Sequence, residues 1–481
     1  MKWCFLVSEP VFFKEFWWEI AKQVMPTGDE CLVLIDGKIA EYGKIPNPPQ
    51  QVKFFSKVDW CAEYYDPGKN NFKNLFWRAL FPDFTRYKPL TFNYKSSVEI
   101  VSQLYQFIDF VIKSEKPDVI ISGSPSNLFE QVAYHLSEEN KITYIGLMES
   151  RLGEGRVDVC DLEHTDSRLE PTFGQLKETD ISESEREFTR DFISAFLSHK
   201  ELIYYMKEDK RIYSSNTEFF RYCLKKLKRL NEKKGILLKY LRSRKRFKKF
   251  DYKSEILFKY LIQSPGRDII RKARIFSQKS MFQSLNGDDS FYLYPLHFQP
   301  EFTSSVLATY YADQLATINN IAFALPFPHK LYVKEHPSSR GTRPDEFYSK
   351  MKKIPNVVLI SAEENMENLI KRSLGVITLT GTAGLEAAIS GKPAYVLGKV
   401  FYTFHPLCRK INNFDDLREK LQSDLTSKPD IADLAAVNLR FVTSYLRNTL
   451  VGNIVAGGSS RDTNDYKAIF LGIRDVVAAK K

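Results

Sequence analysis

The sequence predicts an α/β protein built on two sheets of parallel strands. Short β-rich segments alternate with longer helical patterns from the N-terminus, and the same alternation returns after about residue 285. Strand, loop, helix and strand in this order form a βαβ unit with parallel strands. Because 481 residues exceed one ordinary hydrophobic core, we expect two such domains.

The expected elements follow from apolar runs bounded by Gly, Pro or Asp. The expected strands of the first half are 3–7, 32–35, 52–58, 119–122 and 142–147, with a helix that begins near Ser124 or Ser126. Those of the second half are 291–296, 330–334, 357–360, 376–379 and 394–397. The pattern predicts a Rossmann-like domain at 1–165, a helical basic segment at 166–285, a second Rossmann-like domain at 286–430 and C-terminal helices at 431–481. Such sheets bind ligands at the carboxyl ends of their strands, which places the expected site in a cleft between the halves.

The positive charge of the chain is concentrated in one segment. The formal net charge is +11, but residues 221–280 contain 21 Lys and Arg against 4 acidic residues, so this window carries +17 and the remainder −6. Three interpretations are open: a solvated helical hairpin, an amphipathic surface on anionic lipid, and a nucleic-acid site. No nucleic-acid-binding module accompanies the charge, so we expect no nucleic acid and favour an anionic membrane surface.

The cysteines and the N-terminus indicate the compartment. Six cysteines are widely separated, without a CxxC pair or a His/Cys cluster, which argues for a reducing compartment and against disulfides or structural zinc. Charged residues interrupt the apolar N-terminal run, and no stretch of about 18 apolar residues occurs. We expect a cytoplasmic protein, peripheral at the inner membrane face.

The clearest motif is ITLTGTAGLEAAISGKP, residues 377–393. A β-rich run stops at Thr380, and a helix that contains Glu386 begins after Thr382. Gly381 lets the backbone approach a ligand, the Thr hydroxyls can donate hydrogen bonds, and the N–H groups of the helix start attract an anion. The motif suits a phosphate, although a strand-to-helix turn without a ligand has the same appearance.

A second motif, LYVKEHPSSR, occupies residues 331–340. It places Lys334, Glu335 and His336 at the end of a strand, where Pro337 stops the strand from continuing. A His with Lys and Arg nearby suits a phosphate or a sugar carboxylate. The alternative is a His that caps a surface loop.

A third motif, FYLYPLHFQPEFTSS, occupies residues 291–305. His297, Gln299 and Glu301 alternate after a strand, so an extended backbone would turn all three toward one wall of the cleft. Helix capping explains the hydroxyls that follow but not this trio.

In the first half, GLMESRLGEGR follows a strand at residues 146–156. Its Gly-containing loop carries Glu149, Arg151, Glu154 and Arg156, candidates for a catalytic carboxylate and an acceptor-binding charge. A salt-bridged surface loop is the alternative.

Several catalytic motifs are missing from the sequence. It contains no GxGxxG after the first strand, no GxxxxGK[ST], no HExxH and no GxSxG. Hydride transfer, P-loop hydrolysis, zinc proteolysis and α/β-hydrolase chemistry are therefore disfavoured, and we expect a transfer without metal or cofactor.

Three of these motifs together resemble a known family. PLHFQPE (295–301), KEHP (334–337) and TGTAGLEAAISGKPAYVLG (380–398) are similar to segments of the capsular polysaccharide and surface-carbohydrate biosynthesis proteins, which include Kdo transferases. The resemblance implies a GT-B glycosyltransferase with two Rossmann-like domains that face a cleft, here with a basic helical insertion. It also implies a nucleotide-sugar donor, often the CMP form of Kdo, and a lipid-linked or polysaccharide acceptor.

The resemblance also implies roles for residues. His336 and Pro337 would contact the nucleotide, and Thr380, Gly381 and Thr382 would hold its phosphate or the sugar carboxylate. His297 and Glu301 would line the donor cleft as further catalytic candidates, and the remaining residues of the expected donor site are Gln299, Lys334, Glu335 and Glu386. Glu149 or Glu154 would act as base or nucleophile, and Ser150 and Arg151 of the ESRLGEGR loop would bind the acceptor.

Other functions remain open for this architecture. A polyol-phosphate transferase or a sugar-nucleotide epimerase would use a similar cleft, and a non-catalytic assembly or export factor would keep the fold without the chemistry.

Overall fold

The computed structural model describes residues 1–8, 12–38, 52–69, 72, 75–86, 93–152, 155–160, 168–198, 215–232, 234–427, 431–454 and 463–480. Within these ranges the strands are β1 Lys2–Val7, β2 Glu30–Ile35, β3 Val52–Ser56, β4 Val119–Gly123, β5 Thr143–Glu149, β6 Arg156–Cys160, β7 Phe291–Pro295, β8 Lys330–Lys334, β9 Val357–Ile360, β10 Val376–Thr378, β11 Ala394–Val396, β12 Cys408–Lys410 and β13 Leu450–Val451.

The helices of the same ranges are α1 Phe12–Val24, α2 Lys57–Tyr64, α3 Phe81–Arg86, α4 Tyr94–Glu115, α5 Leu128–Glu139, α6 Leu169–Gln175, α7 Glu183–Leu197, α8 Asn216–Glu232, α9 Lys234–Phe247, α10 Tyr252–Ser277, α11 Phe302–Ser305, α12 Gln314–Ala324, α13 Asp345–Met351, α14 Met366–Arg372, α15 Thr382–Ile389, α16 Phe414–Thr426, α17 Leu434–Asn448 and α18 Thr463–Lys480. No helix in the described part of the chain is long and apolar enough to cross a bilayer.

Both sheets have a Rossmann-like strand order. The N-terminal sheet runs β13-β6-β5-β4-β1-β2-β3, and the C-terminal sheet runs β12-β11-β10-β7-β8-β9. Strands β1 to β5 are parallel, whereas β6 and β13 add antiparallel pairings at one edge. The C-terminal sheet is parallel throughout. The predicted α/β fold class with two Rossmann-like domains is confirmed.

The strands are apolar throughout because helices cover both faces of each sheet. In β1, Trp3, Phe5 and Val7 face the core beneath α1 and α18, while Cys4 and Leu6 face the core beneath α4 and α5. All five side chains are essentially inaccessible to solvent. The C-terminal sheet is covered in the same way, by two further cores on its opposite faces.

Three local expectations needed correction. The strand expected at 52–58 ends at Ser56, because the Ser56 side chain accepts the N–H of Asp59 and starts α2. The helix expected near Ser124 or Ser126 begins only at Leu128, where Asn127 caps it. The strand expected at 142–147 continues to Glu149 and pairs with an unexpected strand, β6, so Glu149 and Arg156, expected on a loop, lie in strands.

The two C-terminal helices join different domains. Helix α17 packs on α6 and α7 in a core of the second domain, and α18 packs on α1 and β13 of the first domain. Ile469, Phe470 and Ile473 of α18 lie in the same core as Trp3. The N-terminal domain is therefore completed by residues from the other end of the chain.

Helix α10 connects the two sheets. Its N-cap Asp251 is buried and accepts the N–H of Lys38, which follows β2. Lys57, at the end of β3, forms a buried ion pair with Asp36 at 3.0 Å and donates to the carbonyl of Phe250. At its other end α10 contacts the loop after β8. The basic segment thus contains the connection between the two domains.

Candidate active site

The carboxyl ends of β7 and β10 meet where the strand order of the C-terminal sheet reverses. Strand β7 ends at Pro295 and the neighbouring β10 at Thr378, so the segments that follow them, 296–301 and 379–382, come together. Open α/β sheets bind ligands in the crevice at such a switch point. The structure therefore brings the PLHFQPE and TGTAG motifs to one site.

The imidazole of His297 joins the two segments. Its Nε2 lies 3.2 Å from Thr378 Oγ1 and accepts the backbone N–H of Thr380 at 3.3 Å. Because Nε2 is an acceptor, we assign the proton of the neutral ring to Nδ1, which is buried and has no hydrogen-bond partner among the described residues. The ring holds the loop after β10 in place.

His297 is neutral in this position. Burial, reinforced by the positive charges of Arg151 and Arg343, lowers the pKa of His297 to about 3. It therefore does not accept a proton near pH 7. His297, expected as a catalytic group, lies in the site but is suited to hydrogen bonding rather than to proton transfer.

Helix α15 begins directly behind this loop. Gly381 is its N-cap and provides no side-chain cap, so the N–H groups of Thr382 and Ala383 remain available to an anion, whereas the N–H of Gly384 is donated to the carbonyl of Gly381. A Cβ on Gly381 would lie 2.9 Å from Thr378 Oγ1 and 3.2 Å from His297 Nε2, so no side chain fits here. Thr382, the first helical residue, is only partly buried.

The loop after β8 forms a second wall. The Glu335 carboxylate accepts Arg343 Nη1 at 2.6 Å and the hydroxyl of Tyr348, and Arg343 Nη2 reaches the carbonyl of His297 at 2.6 Å. His336 Nδ1 accepts the N–H of Ser338, and burial with nearby Arg343 lowers the pKa of His336 to about 4. The KEHP motif is thereby joined to the switch point through Arg343.

Glu301 faces the N-terminal domain. It precedes α11, which packs against α3, and Thr303 Oγ1 donates to its carboxylate at 3.3 Å. Burial raises the pKa of Glu301, and the positive charges of Arg151 and Arg86 from the N-terminal domain oppose this shift. A carboxylate, two guanidinium groups and the His297 loop thus lie within electrostatic reach of one another.

The predicted trio of the third motif does not form one wall. The strand ends at Pro295, and the backbone beyond it is irregular, so the alternation argument was wrong. The Gln299 side-chain amide donates to the carbonyl of Ala312 and accepts a hydrogen bond from Gln314, the first residue of α12. Gln299 therefore supports the loop, whereas His297 and Glu301 line the site.

Two other predicted binding groups are occupied by the protein itself. Thr380 Oγ1 donates to the carbonyl of Thr303, so this hydroxyl ties the loop to α11. Lys334 Nζ donates to the carbonyl of Ala362, and burial lowers the pKa of Lys334 to about 8.

Glu386 is buried on α15 and contributes to the electrostatic surroundings of Lys334. Within the described ranges no group of three or more His, Cys, Asp or Glu side chains could hold a metal ion.

Two of the first-half candidates, Ser150 and Arg156, bond residues of α17. Ser150 Oγ bonds the hydroxyl of Tyr445 at 2.8 Å. Arg156 donates to the carbonyl of Leu446, so it also supports the contact with α17. Glu149 is the last residue of β5, and Glu154 lies outside the described residues.

Strand alternation places Glu149 and Met148 on opposite faces of the sheet. Its neighbour Met148 packs against Phe302 and Val306 of the second domain. Successive side chains of a strand point to opposite faces, so Glu149 lies on the other face, with Leu147. Among the first-half candidates that the structure describes, Arg151 is the one whose charge acts on His297 and Glu301.

Sequence reasoning missed Arg343, Arg86 and Tyr402. Arg343 follows the KEHP motif by only a few residues, so its presence in the same loop was a usable signal. Tyr402 donates its hydroxyl to the carbonyl of Gly381 at 2.5 Å. Nothing local distinguishes Arg86 or Tyr402, because each reaches the site only through the tertiary fold.

The N-terminal sheet has a matching switch point, but the protein's own side chains fill it. At the ends of β1 and β4, Ser8 Oγ donates to Glu130 Oε1, and Asn127 donates to Ser8 Oγ. Asn127 and Glu130 also accept the first N–H groups around α5. Only the C-terminal one of these two switch points presents an uncapped helix start.

This arrangement defines the class: a protein of two Rossmann-like domains with an anion-suited switch point in the second domain and charged groups of the first domain opposite. Residues 306–437 match the family model described as capsule polysaccharide biosynthesis protein. The match includes the loops around His336 and Thr380, and it confirms the resemblance predicted from the sequence over roughly a quarter of the chain.

Solved structures with a similar fold have low similarity to this chain. The Thermosulfurimonas dismutans KpsC β-Kdo 2,7-transferase is 11% identical, with 77% of this chain and 89% of that chain covered and a TM-score of 0.38. The UDP-GlcNAc 2-epimerase from Neisseria meningitidis is 12% identical, with 93% and 100% covered and a TM-score of 0.25. WaaG, a lipopolysaccharide glycosyltransferase, is 10% identical, with 99% of each chain covered and a TM-score of 0.27. A comparison with curated proteins finds no match.

Proposed function

We propose that this protein is a glycosyltransferase of capsule polysaccharide synthesis that uses a nucleotide-sugar donor. The observation that carries the proposal is the uncapped start of α15 at the switch point, in the same domain as His297 and Glu301 and with Arg151 of the first domain opposite. Backbone N–H groups at a helix start suit a phosphate, and a pair of domains places a second substrate across the cleft.

In this mechanism the diphosphate or monophosphate of the donor lies against Gly381 and accepts the N–H groups of Thr382 and Ala383 at the start of α15. The acceptor hydroxyl oxygen attacks the anomeric carbon, the bond from that carbon to the phosphate oxygen breaks, and the phosphate leaves with the bonding electrons. The helix N-terminus stabilises the charge that develops on this leaving group. His297 keeps the phosphate loop in position and transfers no proton.

Glu301 is the base in this proposal. Its raised pKa makes it a better proton acceptor than an exposed carboxylate, and its place at the domain contact suits an acceptor hydroxyl. Arg151 and Arg86 favour its ionised form and attract an acidic sugar. Glu301 thus replaces Glu149, which lies on the opposite face of β5.

The donor class is tested with CMP, UDP and CDP. We expect one of them to raise the melting temperature of the protein, with CMP first because of the resemblance to Kdo transferases. Incubation with the matching activated sugar and a capsule-type acceptor should then yield product with release of that nucleotide. Epimerised donor without transfer would instead favour the epimerase, and CDP-polyol turnover the polyol-phosphate transferase. If no nucleotide binds, the assembly-factor alternative is favoured.

The basic segment is the membrane-docking surface in this proposal. Its helices expose Leu224, Leu238, Leu241 and, on α10, Ile269 and Phe276 among Lys and Arg. Apolar side chains beside basic ones suit the anionic face of a bilayer, where each basic residue contributes about 1 kcal/mol.

A vesicle assay tests this surface. The double variant Arg242→Ala with Lys245→Ala should bind vesicles of phosphatidylglycerol and phosphatidylcholine about 2 kcal/mol more weakly than the parent. Lys352→Ala with Lys353→Ala, two exposed lysines of the second domain, is the matched control and should bind like the parent. Parent binding that is absent or independent of salt contradicts the docking role.

A further inference from the structure

The C-terminal half of α10 lies along the loop that carries His336 and Arg343. Arg271 donates from Nε to the carbonyl of Arg340 and from Nη2 to the carbonyl of Ser338, both at 2.9 Å. Gln278 donates to the carbonyl of Arg343 at 2.8 Å. Carbonyls along this loop are thus hydrogen-bonded to side chains of one helix.

The close contact at Gly341 shows how tightly the loop is fitted to the helix. Gly341 has φ +68°, and a Cβ there would lie 2.3 Å from the carbonyl oxygen of Arg271 and 2.8 Å from Ile275 Cγ1. Only glycine combines this left-handed conformation with this approach. The helix backbone itself therefore defines the path of the loop.

The loop in turn positions the site. Arg343 bonds both Glu335 and the carbonyl of His297, so a displacement of the loop would move the KEHP motif and the switch point together. The other end of α10 is fixed to the N-terminal domain through Asp251 and through Tyr252, whose hydroxyl donates to Asp83 at 3.0 Å. One helix of 26 residues spans the distance between them.

We propose that Arg271 is a positioning residue for the nucleotide site, holding the 338–343 loop so that Arg343 can fix His297 and Glu335. The proposal rests on the proposed function, because the site it positions is the nucleotide-sugar site. Through α10 the same arginine makes the geometry of the donor site depend on the first domain, where the acceptor binds.

The first test is hydrogen exchange on the full chain without nucleotide. Arg271→Lys retains the charge but loses the planar guanidinium whose two nitrogens bond the two carbonyls, so backbone amides of 337–343 should exchange faster than in the parent. Arg267→Ala removes an exposed arginine one turn earlier on the same helix and should leave this exchange unchanged. Unchanged exchange in Arg271→Lys overturns the proposal.

The second test is nucleotide binding. Titration with CMP and with UDP should show affinity on the order of tenfold weaker for Arg271→Ala, partial recovery for Arg271→Lys, and parental affinity for Arg267→Ala. An equal melting temperature for parent and Arg271→Lys separates this effect from unfolding. Faster loop exchange with parental affinity overturns the positioning role. If the parent binds neither nucleotide, the proposed function and the positioning role both fail, and the exchange result then reports only on the loop.

Discussion

The surroundings of Glu301 differ from those of an ordinary surface carboxylate. Burial raises its pKa, while Arg151 and Arg86 lower it, and the sequence alone shows neither effect. The pKa of His297 shifts in the opposite direction, because burial lowers it and keeps the ring neutral. Chemistry at this site therefore depends on groups whose protonation is decided by their environment.

Replacement of Glu301 tests its role as base. Glu301→Gln should lower kcat by about 10² or more while nucleotide affinity stays near the parental value, since the amide keeps the shape but accepts no proton. Because the ionised form is active and its pKa is raised, parental activity should fall as the pH falls through that raised pKa. Glu149→Gln is the matched control and should retain activity. Full loss in Glu149→Gln would return the base to the first domain.

A second residue-scale prediction concerns His405. Its Nδ1 accepts the N–H of Leu407 and its Nε2 pairs with Asn438, and burial lowers its pKa to about 4. The unfolded chain binds a proton near pH 6.5 and the folded chain does not, so stability is full above that pH and falls as the pH decreases toward 4.

The measurement is the free energy of unfolding at pH 7 and pH 5. Because Gln cannot be protonated, His405→Gln should lose about 2 kcal/mol less than the parent between these values. An equal loss in both proteins would mean that His405 is protonated in the folded state as well.

At the scale of elements, the strand-to-helix connection after β10 leaves no room for a side chain at Gly384. A Cβ on Gly384 would lie 2.6 Å from the hydroxyl of Tyr402 and 2.9 Å from Thr378 Cγ2. The helix that offers its N-terminus to the ligand can therefore approach the sheet only because glycine occupies this position.

Gly384→Ala should destabilise the protein by about 1–3 kcal/mol through overpacking. Chemical denaturation gives the change in the free energy of unfolding. Gly174→Ala, in α6, meets no atom within 4 Å and should be neutral or slightly stabilising. A neutral Gly384→Ala would show that Tyr402 and the helix shift without cost.

The structural role of helix α10 could not be predicted from its composition alone. Its charge predicted a surface segment, and Arg267, Lys272 and Arg274 do lie exposed or partly exposed, whereas Lys253 is buried beside Asp83. Its two ends, however, are tied into the first domain at Asp251 and to the loop after β8 at Arg271. Composition reports the exposed face of a helix, whereas its buried contacts decide what it connects.

At the scale of the whole molecule, the two ends of the chain form one core. Phe470 of α18 packs edge-on against Trp3 of β1, with ring centroids 5.5 Å apart. Tyr445 of α17 bonds Ser150 and Asp158 of the β5–β6 hairpin. The first domain is complete only after the last helix has been made.

Substitution within α18 tests this dependence. Phe470→Ala should cost about 3–5 kcal/mol, as for other buried aromatic residues, and should change the fluorescence of Trp3. Leu471→Ala, the exposed neighbour, should cost less than about 0.5 kcal/mol. Similar losses from both variants would contradict a core role for α18.

The sequence by itself determined the α/β class, the strands that end at the three motifs, and the location of the charge. These features depend on local periodicity and composition, which can be read from short stretches of sequence such as those around His336 and Gly381. The tertiary structure alone decided that Gln299 and Thr380 support loops, that Glu301 meets Arg151, and that α18 belongs to the first domain. Those outcomes depend on burial and on contacts between distant residues, which no local pattern records.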